Sequence, residues 1–493
     1  MTFIPLDIPA GVYKNGTDLE GQGRWQDTSL VRWRDNTLRP VGGWQSRKAG
    51  FSTNPIRGFH TWEANDGSRF FAGGSYNELK VSTADNTVYD ITPSDLTAGD
   101  EHSTLETGYG YGNYGVGTYG TERSAFGSYS EANSWQIDNF GENLIACSYA
   151  DGRLLEWTLN VANDAAVISN APTNNLGVVV TEERFVFALG AGGNPRKVQW
   201  CDIEDNTDWT PTAANQAGDI ELQTAGQIMQ GIRTRGQVLI LTDIDAHSAR
   251  YSGPPFIYGF QRVGTACGAI SRMAAVDTDA GVFWMGQRGF FRFDGNVVQE
   301  MPCDVFDHVF GELQDRNKSK TWAFNNSEFG EVWWFYQSDA QSDSGEIDKY
   351  VAYDYKENHW HIGSLSRTAG APRGVFRNAF MVDSTDVYHH EVAGTGATGM
   401  FAETGPIQLG NGDNIMHVTQ FVADERTKGD VQLKFKTRFY PNGDETEHGP
   451  FDPATPTGLR LAGRQLKMRI EPDDGADFRV GIVRVDAQQG GKR

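Results

Sequence analysis

Short apolar strands alternate with polar turns along most of the chain, and one unit recurs seven times between residues 55 and 395. Each unit has an apolar strand, a turn rich in Gly, Asp or Asn, and a second strand rich in aromatic residues. Apart from the first interval, the units begin roughly 40 to 55 residues apart, the spacing of four-stranded propeller blades. The units begin at Arg69, Asn143, Arg184, Gln237, Gly281, Glu331 and Asn378.

This pattern predicts an all-β chain in which residues 55–395 form a β-propeller of six or seven blades. No strict WD or kelch signature accompanies the repeat. Two packed β-sandwiches would produce similar hairpins, but at less regular spacing. The regular spacing therefore favours the propeller.

Residues 1–54 are predicted to form an extended N-terminal arm, because Pro and Gly interrupt any period there. Its basic residues outnumber its acidic ones, and tryptophans lie between them. Basic and aromatic residues together can bind nucleic acid. Since the rest of the chain is acidic, docking of the arm on a neighbouring subunit or on the propeller is the favoured interpretation. The candidate contact residues are Trp25, Trp33, Arg34 and Trp44.

An insertion at residues 107–135 is rich in Gly and Tyr and cannot bury a core of its own. Tyrosine offers rigid contact area with a polar tip, so the segment could order against a partner surface. A flexible low-complexity loop is the alternative, and both interpretations stay open. The candidate contact residues here are Tyr109, Tyr111, Tyr114 and Tyr119.

Two further elements are predicted outside the repeat pattern. Apolar residues at helical spacing predict a helix near residues 303–318, packed against a blade. Alternating strands separated by polar turns then predict a small C-terminal antiparallel β domain over residues 396–493.

Charge narrows the possible partners. The 493 residues include 43 Lys and Arg against 64 Asp and Glu, a formal net charge of −21. This balance argues against a general nucleic-acid or anionic-membrane surface, because such surfaces need a basic footprint. The sequence shows no apolar run long enough to span a bilayer and no secretory signal pattern, so we expect neither membrane insertion nor secretion by the usual signal.

No motif with the spacing of an active site, a cofactor site or a metal site is present. The four cysteines lie far apart without a C-x-x-C pair, and the Asp-rich turns lack the spacing of a calcium loop. Nucleophile elbows and phosphate-binding loops are also absent from the sequence. We therefore predict no catalytic, cofactor-binding or metal-binding residues and a protein that is not an enzyme.

Several segments together resemble tail proteins of tailed bacteriophages. The order of arm, repeated hairpins, helix and C-terminal β region is similar to the tail nozzle, or packaged-DNA stabilisation, proteins of short-tailed phages. The segments are LRPVGGW (38–44), GYGYGNYGVGTYG (108–120), GFFRFDG (289–295), MPCDVFDHVF (301–310), EVWWFYQS (331–338) and DKYVAYDYKENHW (348–360).

The resemblance implies a structural virion protein, made in the cytoplasm of the bacterial host and located in the tail. It implies a ring, expected to be a hexamer, that extends the channel of the portal and adaptor, retains packaged DNA and passes it during ejection. The implied partners are further copies of the chain, the adaptor or head-completion protein, other tail proteins and DNA in passive contact. A receptor- or glycan-binding tail protein is the alternative, and a propeller glycosidase is a more remote one.

Overall fold

The computed structural model describes residues 3–108, 123–392, 397–409, 412–426, 430–453 and 456–491. Five strands lie in the first 48 residues. They are β1 (Phe3–Leu6), β2 (Trp25–Ser29), β3 (Val31–Arg34), β4 (Thr37–Pro40) and β5 (Gly43–Lys48).

Seven four-stranded antiparallel sheets follow, which we number as blades 1 to 7. A separate two-stranded hairpin, β10 and β11, lies between blades 1 and 2. Blades 1 to 3 and this hairpin contain β6 (Phe59–Glu63), β7 (Arg69–Gly74), β8 (Leu79–Thr83), β9 (Val88–Asp90), β10 (Leu105–Gly108), β11 (Arg123–Tyr129), β12 (Trp135–Phe140), β13 (Asn143–Ser148), β14 (Leu154–Trp157), β15 (Ala166–Val167), β16 (Gly177–Val180), β17 (Val186–Leu189), β18 (Lys197–Trp200) and β19 (Gly218–Glu221).

Blades 4 to 7 take up the chain as far as residue 392. Their strands are β20 (Ile228–Thr234), β21 (Gln237–Thr242), β22 (Asp245–Gly253), β23 (Ile257–Thr265), β24 (Ala275–Thr278), β25 (Gly281–Gly286), β26 (Gly289–Phe293), β27 (Val298–Met301), β28 (Trp322–Asn326), β29 (Glu331–Tyr336), β30 (Lys349–Asp354), β31 (His359–Ser364), β32 (Ala369–Ala371), β33 (Phe380–Asp383) and β34 (Asp386–Val392).

The seven sheets form a closed β-propeller, so the predicted fold class is confirmed with seven blades. The first strand of each blade lies beside the first strand of the next, and β32 returns to lie beside β6. Each of the seven repeated hairpins seen in the sequence is the second and third strand of one blade. These strands are apolar because neighbouring blades cover both of their faces, and every residue of Gln237–Thr242 and of Glu331–Tyr336 is buried.

The N-terminal arm closes the ring. Strand β5 pairs antiparallel with β34 and supplies the fourth strand of blade 7, with Trp44 opposite His390 and Gly43 opposite Val392. The predicted boundary after residue 54 therefore separates β5 from the blade that it completes. Pairing between strands more than 300 residues apart leaves no local period, which is why the arm looks unstructured in the sequence.

The remaining arm strands join the C-terminal region in two facing sheets, which we call the sandwich. One sheet has the order β3-β4-β41-β36-β39 with β1 also on β41, and the other has the order β2-β35-β40-β37-β38. The C-terminal strands are β35 (Phe401–Thr404), β36 (Met416–Glu425), β37 (Val431–Arg438), β38 (Thr446–Phe451), β39 (Thr457–Gly463), β40 (Gln465–Pro472) and β41 (Val480–Gln489).

Aromatic side chains from both sheets meet in the sandwich core. The rings of Phe421 and Phe435 lie 5.5 Å apart, and those of Trp25 and Trp33 lie 5.7 Å apart. Burial alternates along β39 and β40, as expected for strands with one solvated face. The C-terminal β region is thus completed by strands from the other end of the chain.

Helical structure is confined to short segments in the described part of the chain. Helix α1 spans Phe306–Glu312, and 3-10 helices span Ala191–Gly193 and Asp315–Lys320. Val309 is fully buried against the core, as the apolar spacing predicts. None of the described helices is long and apolar enough to cross a membrane.

Candidate functional site

The sandwich is attached to the outer edge of blade 6. The Thr28 hydroxyl donates to the carbonyl oxygen of Ile362 at 2.7 Å, and the Val12 amide donates to the carbonyl oxygen of Trp360 at 2.7 Å. The Leu30 amide donates to the Tyr350 hydroxyl at 2.9 Å. The first two bonds satisfy carbonyl oxygens of the edge strand β31, and all three hold the sandwich against blade 6.

A buried ionic cluster lies at this junction. Arg32 on β3 forms an ion pair with Glu331, at 2.8 Å between Nε and Oε1, and a second, short ion pair with Glu391. The three side chains are 4%, 1% and 6% exposed. Arg32 holds the pKa of Glu331 well below its usual range against the opposing effect of burial. The cluster therefore joins the arm to blade 6 and blade 7 with ionised groups.

Neutral donors complete the hydrogen bonding of the two carboxylates. Asn326 Nδ2 donates to Glu331 at 3.2 Å and to Glu391 at 3.0 Å, and the indole of Trp333 donates to Glu331 at 2.8 Å. The Gly42 amide donates to Glu391 at 2.7 Å. Buried charges with this many partners are strongly destabilised when one partner is removed.

A histidine accompanies each carboxylate of the cluster. His361 Nε2 lies 3.6 Å from Glu331 Oε1, and His390 Nε2 lies 3.6 Å from Glu391 Oε1. Burial lowers the pKa of His390 to about 4, although Glu391 acts in the opposite direction. His390 is therefore neutral at neutral pH, and Arg32 is the cation that balances the carboxylates.

A cavity of about 410 Å³ opens beside the cluster, between the sandwich and blades 6 and 7. Strands β3 and β4, the turn at residues 328–329 and the segment 475–479 supply most of its lining. Three half-buried arginines, Arg34, Arg39 and Arg479, lie on this wall. The structure thus concentrates basic side chains in one place on an acidic protein.

The candidate residues of the arm lie in three different environments in the structure. Trp25 and Trp33 are 6% and 2% exposed in the sandwich core and so are not available to a partner surface. Trp44 is half-buried under the guanidinium of Arg367, whose carbon lies 4.8 Å from the ring centroid. Arg34, which donates to the carbonyl oxygen of Phe329 at 3.0 Å, lines the cavity of about 410 Å³.

The tyrosines of the Gly/Tyr insertion lie outside the described residues. These are Tyr109, Tyr111, Tyr114 and Tyr119. The strands that flank them, β10 and β11, pair antiparallel.

No motif in the sequence marks Glu331 and Glu391 as partners of Arg32. A usable signal exists, because Glu331 begins the otherwise uncharged strand EVWWFY, and a carboxylate within a buried strand requires a partner.

No comparable signal marks Phe256, which is 80% exposed at the tip of the β22–β23 hairpin. That residue follows two prolines in a turn and is the most exposed large apolar side chain in the described part of the chain.

Loops from opposite sides of the ring meet across one end of the central channel. Ser103, between blades 1 and 2, accepts through its carbonyl oxygen from Arg316 Nε at 2.8 Å, and its amide donates to Asn317 at 3.2 Å. Lys320 is fully buried beside them and donates to Glu346 at 3.2 Å. Burial lowers the pKa of Lys320 to about 8. These contacts link the segment between blades 1 and 2 to the segment between blades 5 and 6.

Reactive groups are scarce in the described structure. Burial raises the pKa of the thiols of Cys147, Cys201, Cys267 and Cys303 to about 12, which leaves very little nucleophilic thiolate at neutral pH. Among the described residues, no group of three or more His, Cys, Asp or Glu side chains could hold a metal ion.

Comparison with known proteins adds no family to this picture. No protein-family model matches the chain, and no curated protein matches it. Among solved structures, virginiamycin B lyase from Staphylococcus aureus is 8% identical with a TM-score of 0.43, over 70% of this chain and 98% of the lyase chain. The N-terminal domain of Nup159 is 11% identical with a TM-score of 0.37, over 74% of this chain and 99% of that domain. Similarity at this level carries no statement about function.

Proposed function

We propose that the chain is a structural protein of a bacteriophage tail. Its copies form a ring, expected to be a hexamer, that extends the channel of the portal and adaptor, retains packaged DNA and passes it during ejection. The partners in this proposal are the adaptor, other tail proteins and DNA, and the role is passive rather than catalytic.

The distribution of charge is the observation that carries this proposal. Residues 55–395 contain 23 Lys and Arg against 45 Asp and Glu, whereas the rest of the chain contains 20 against 19. The acidic excess therefore lies entirely in the propeller region. An acidic wall repels phosphates, so that DNA can slide past without being held by local contacts.

The pairing of the N-terminal strands with strands from the other end of the chain supports a rigid subunit. Strand β5 completes blade 7, and β1 to β4 complete the sandwich, so both ends of the sequence are held within sheets. The Arg32 cluster then fixes the sandwich to the propeller. A subunit built in this way can hold neighbouring copies in one geometry, as a symmetric ring requires.

In this proposal DNA passes between subunits rather than through the propeller. The contacts of Ser103 with Arg316 and Asn317 cross one end of the propeller channel. The passage would therefore be the central opening of the ring.

The passive role is supported by the state of the paired carboxylates. Glu331 and Glu391 both contact Arg32 and are 1% and 6% exposed. A glycosidase needs two carboxyl groups that reach the substrate, one of them able to donate a proton. Glu331 and Glu391 instead bind Arg32 and hold the sandwich against the propeller.

Mass photometry of the purified full chain, with a DNA-binding measurement on the same sample, tests the proposal. We expect a discrete oligomer of ring size and no measurable binding of duplex DNA at physiological salt. Submicromolar affinity for duplex DNA under these conditions would refute the passive channel. A strictly monomeric chain, both alone and with the adaptor, would refute the ring.

A further inference from the structure

The cavity between the sandwich and the propeller has the size of a small-molecule site. Its volume of about 410 Å³ falls in the range of ligand pockets, which are mostly apolar with a few convergent polar groups. Apolar residues form much of the lining, including Val41, Phe329, Ala397 and Met400. Three of these, Val41, Ala397 and Met400, are 1%, 2% and 3% exposed and belong to the core.

Three arginines from separate segments supply the polar side of the cavity. Arg34 is on β3, Arg39 is on β4 and Arg479 immediately precedes β41. Within the described ranges, none of the three guanidinium groups forms an ion pair, and the buried Nε of Arg39 has no hydrogen-bond partner. Guanidinium groups of this kind bind anions strongly, because their donors form a planar fork.

The carboxylates in the same lining are mostly engaged elsewhere. Glu391 pairs with Arg32, and Glu328 pairs with Arg373 at 2.7 Å. Asp477 is exposed and is the remaining acidic side chain of the lining. The cavity therefore keeps an excess of uncompensated positive charge, in contrast to the net charge of −21 of the whole chain.

We infer that this cavity is a binding site for a carboxylate that carries an apolar body. Arg39 and Arg479 hold the carboxylate oxygens, while the apolar body packs on the half-buried Phe329 and Ala476. The paired oxygens of a carboxylate match the guanidinium fork. An inorganic anion would leave the apolar lining uncovered, so we expect it to bind more weakly.

Isothermal titration calorimetry of the full chain with phenylacetate tests this inference. Binding should be saturable, and phenylacetamide, which has the same body without the charge, should bind at least about tenfold more weakly, as expected for the loss of charge-assisted hydrogen bonds. Inorganic phosphate is the probe for a site that recognises charge alone. Phosphate binding as tight as that of phenylacetate would overturn the inference, and so would the absence of phenylacetate binding.

Two single variants locate the site. Arg39→Gln and Arg479→Gln should each weaken phenylacetate binding about tenfold or more. Because Arg479 lies outside the sheet pairing of Arg39, one variant remains informative if the other fails to fold. Arg460→Gln, on an exposed position of β39, is the matched control and should bind like the unchanged chain. Equal binding by all three variants would show that the carboxylate sits elsewhere.

A carboxylate could reach the cavity as a free organic acid or as an acidic side chain of a peptide. A capped peptide, acetyl-Gly-Glu-Phe-Gly-amide, has one side-chain carboxylate next to an aromatic ring and tests the second source. Tighter binding of phenylacetate than of the peptide indicates a free acid, and the reverse indicates a peptide segment. Either result supports the site only if Arg479→Gln weakens the binding of the ligand that binds more tightly.

Discussion

Arg32 and Glu391 form a buried ion pair although 359 residues separate them in the sequence. Arg32 lies in the sandwich, and Glu391 lies in the third strand of the last blade. Because Arg32 also binds Glu331 of blade 6, one side chain connects the sandwich to two blades. The pair can therefore form only when the sandwich and the propeller are correctly joined.

Replacing Arg32 should destabilise the protein strongly. In Arg32→Met, two buried carboxylates lose their cation, and removal of one partner of such a cluster costs about 3–5 kcal/mol. Arg184→Met, which breaks the largely exposed pair with Glu204, should cost less than about 1 kcal/mol. The free energies of unfolding, measured in urea, give the comparison, and equal losses in the two variants would contradict the role of the cluster.

Stability should fall as the pH is lowered from about 6.5 to about 4. In the unfolded chain His390 has the ordinary histidine pKa of about 6.5, whereas burial lowers its pKa to about 4 in the folded state. The unfolded state therefore binds more protons across this interval, and the free energy of unfolding decreases on acidification. His308, whose pKa burial also lowers to about 4, adds to the effect.

The contribution of His390 can be isolated by substitution. In His390→Gln, the loss of unfolding free energy between these pH values should be smaller, by up to about 3 kcal/mol for a shift of this size. His417→Gln, at an exposed position, is the control and should keep the slope of the unchanged protein. The melting temperature measured across the pH range shows the difference, and an unchanged slope in His390→Gln would exclude this residue as the cause.

Removal of residues 1–48 should abolish the folded state rather than only an intersubunit contact. The truncation deletes the fourth strand of blade 7 and four strands of the sandwich, leaving apolar surfaces exposed. Solubility, circular dichroism and limited proteolysis of the truncated chain measure the effect. A truncated chain that is soluble and unfolds like the complete one would show that closure by β5 is dispensable.

Phe256→Ser should weaken assembly without weakening the fold. The side chain is 80% exposed at a hairpin tip, so its replacement removes a contact surface but no core packing. Val297→Ser, at another exposed apolar position in a turn, is the matched control with 53% exposure. Mass photometry reports assembly and thermal unfolding reports stability; unchanged assembly in Phe256→Ser would exclude the tip as a contact.

Reversing charge on blade 3 should create affinity for DNA. Glu182, Glu204 and Asp205 are exposed acidic residues on its turns, and their joint replacement by Lys converts a repelling surface into an attracting one. Duplex binding by this variant should weaken steeply as salt is raised, while replacement by Gln and Asn should not produce it. Strong binding by the unchanged chain would contradict the repulsive role of the acidic surface.

The propeller could be predicted from the sequence because each blade is a local unit. Its second and third strands are adjacent in the chain, so the hairpin beginning at Gln237 shows its apolar strand and turn within a few residues. The helix at Phe306–Glu312 was predictable for the same reason, since its apolar spacing is internal.

The candidate site could be predicted only in part from the sequence. The sequence presents Arg34 as part of a basic and aromatic arm, whereas the structure places it on a cavity wall that also includes residues distant in the chain, such as Glu391 and Arg479. The sequence pattern predicts a contact surface at Trp25 and Trp33, and this prediction is wrong because strands near the other end of the chain bury both side chains. No local pattern distinguishes a core tryptophan from a surface one when its neighbours are hundreds of residues away.

The sequence by itself determined the all-β class, the repeated hairpins and the acidic balance, because each is set by residue type and short-range spacing. Tertiary structure decided that the arm closes blade 7, that its first strands complete the sandwich and that Arg32 meets Glu331 and Glu391. These features depend on long-range strand pairing and on the cost of burying charges without partners. Both are properties of the assembled fold, and neither leaves a period in the chain.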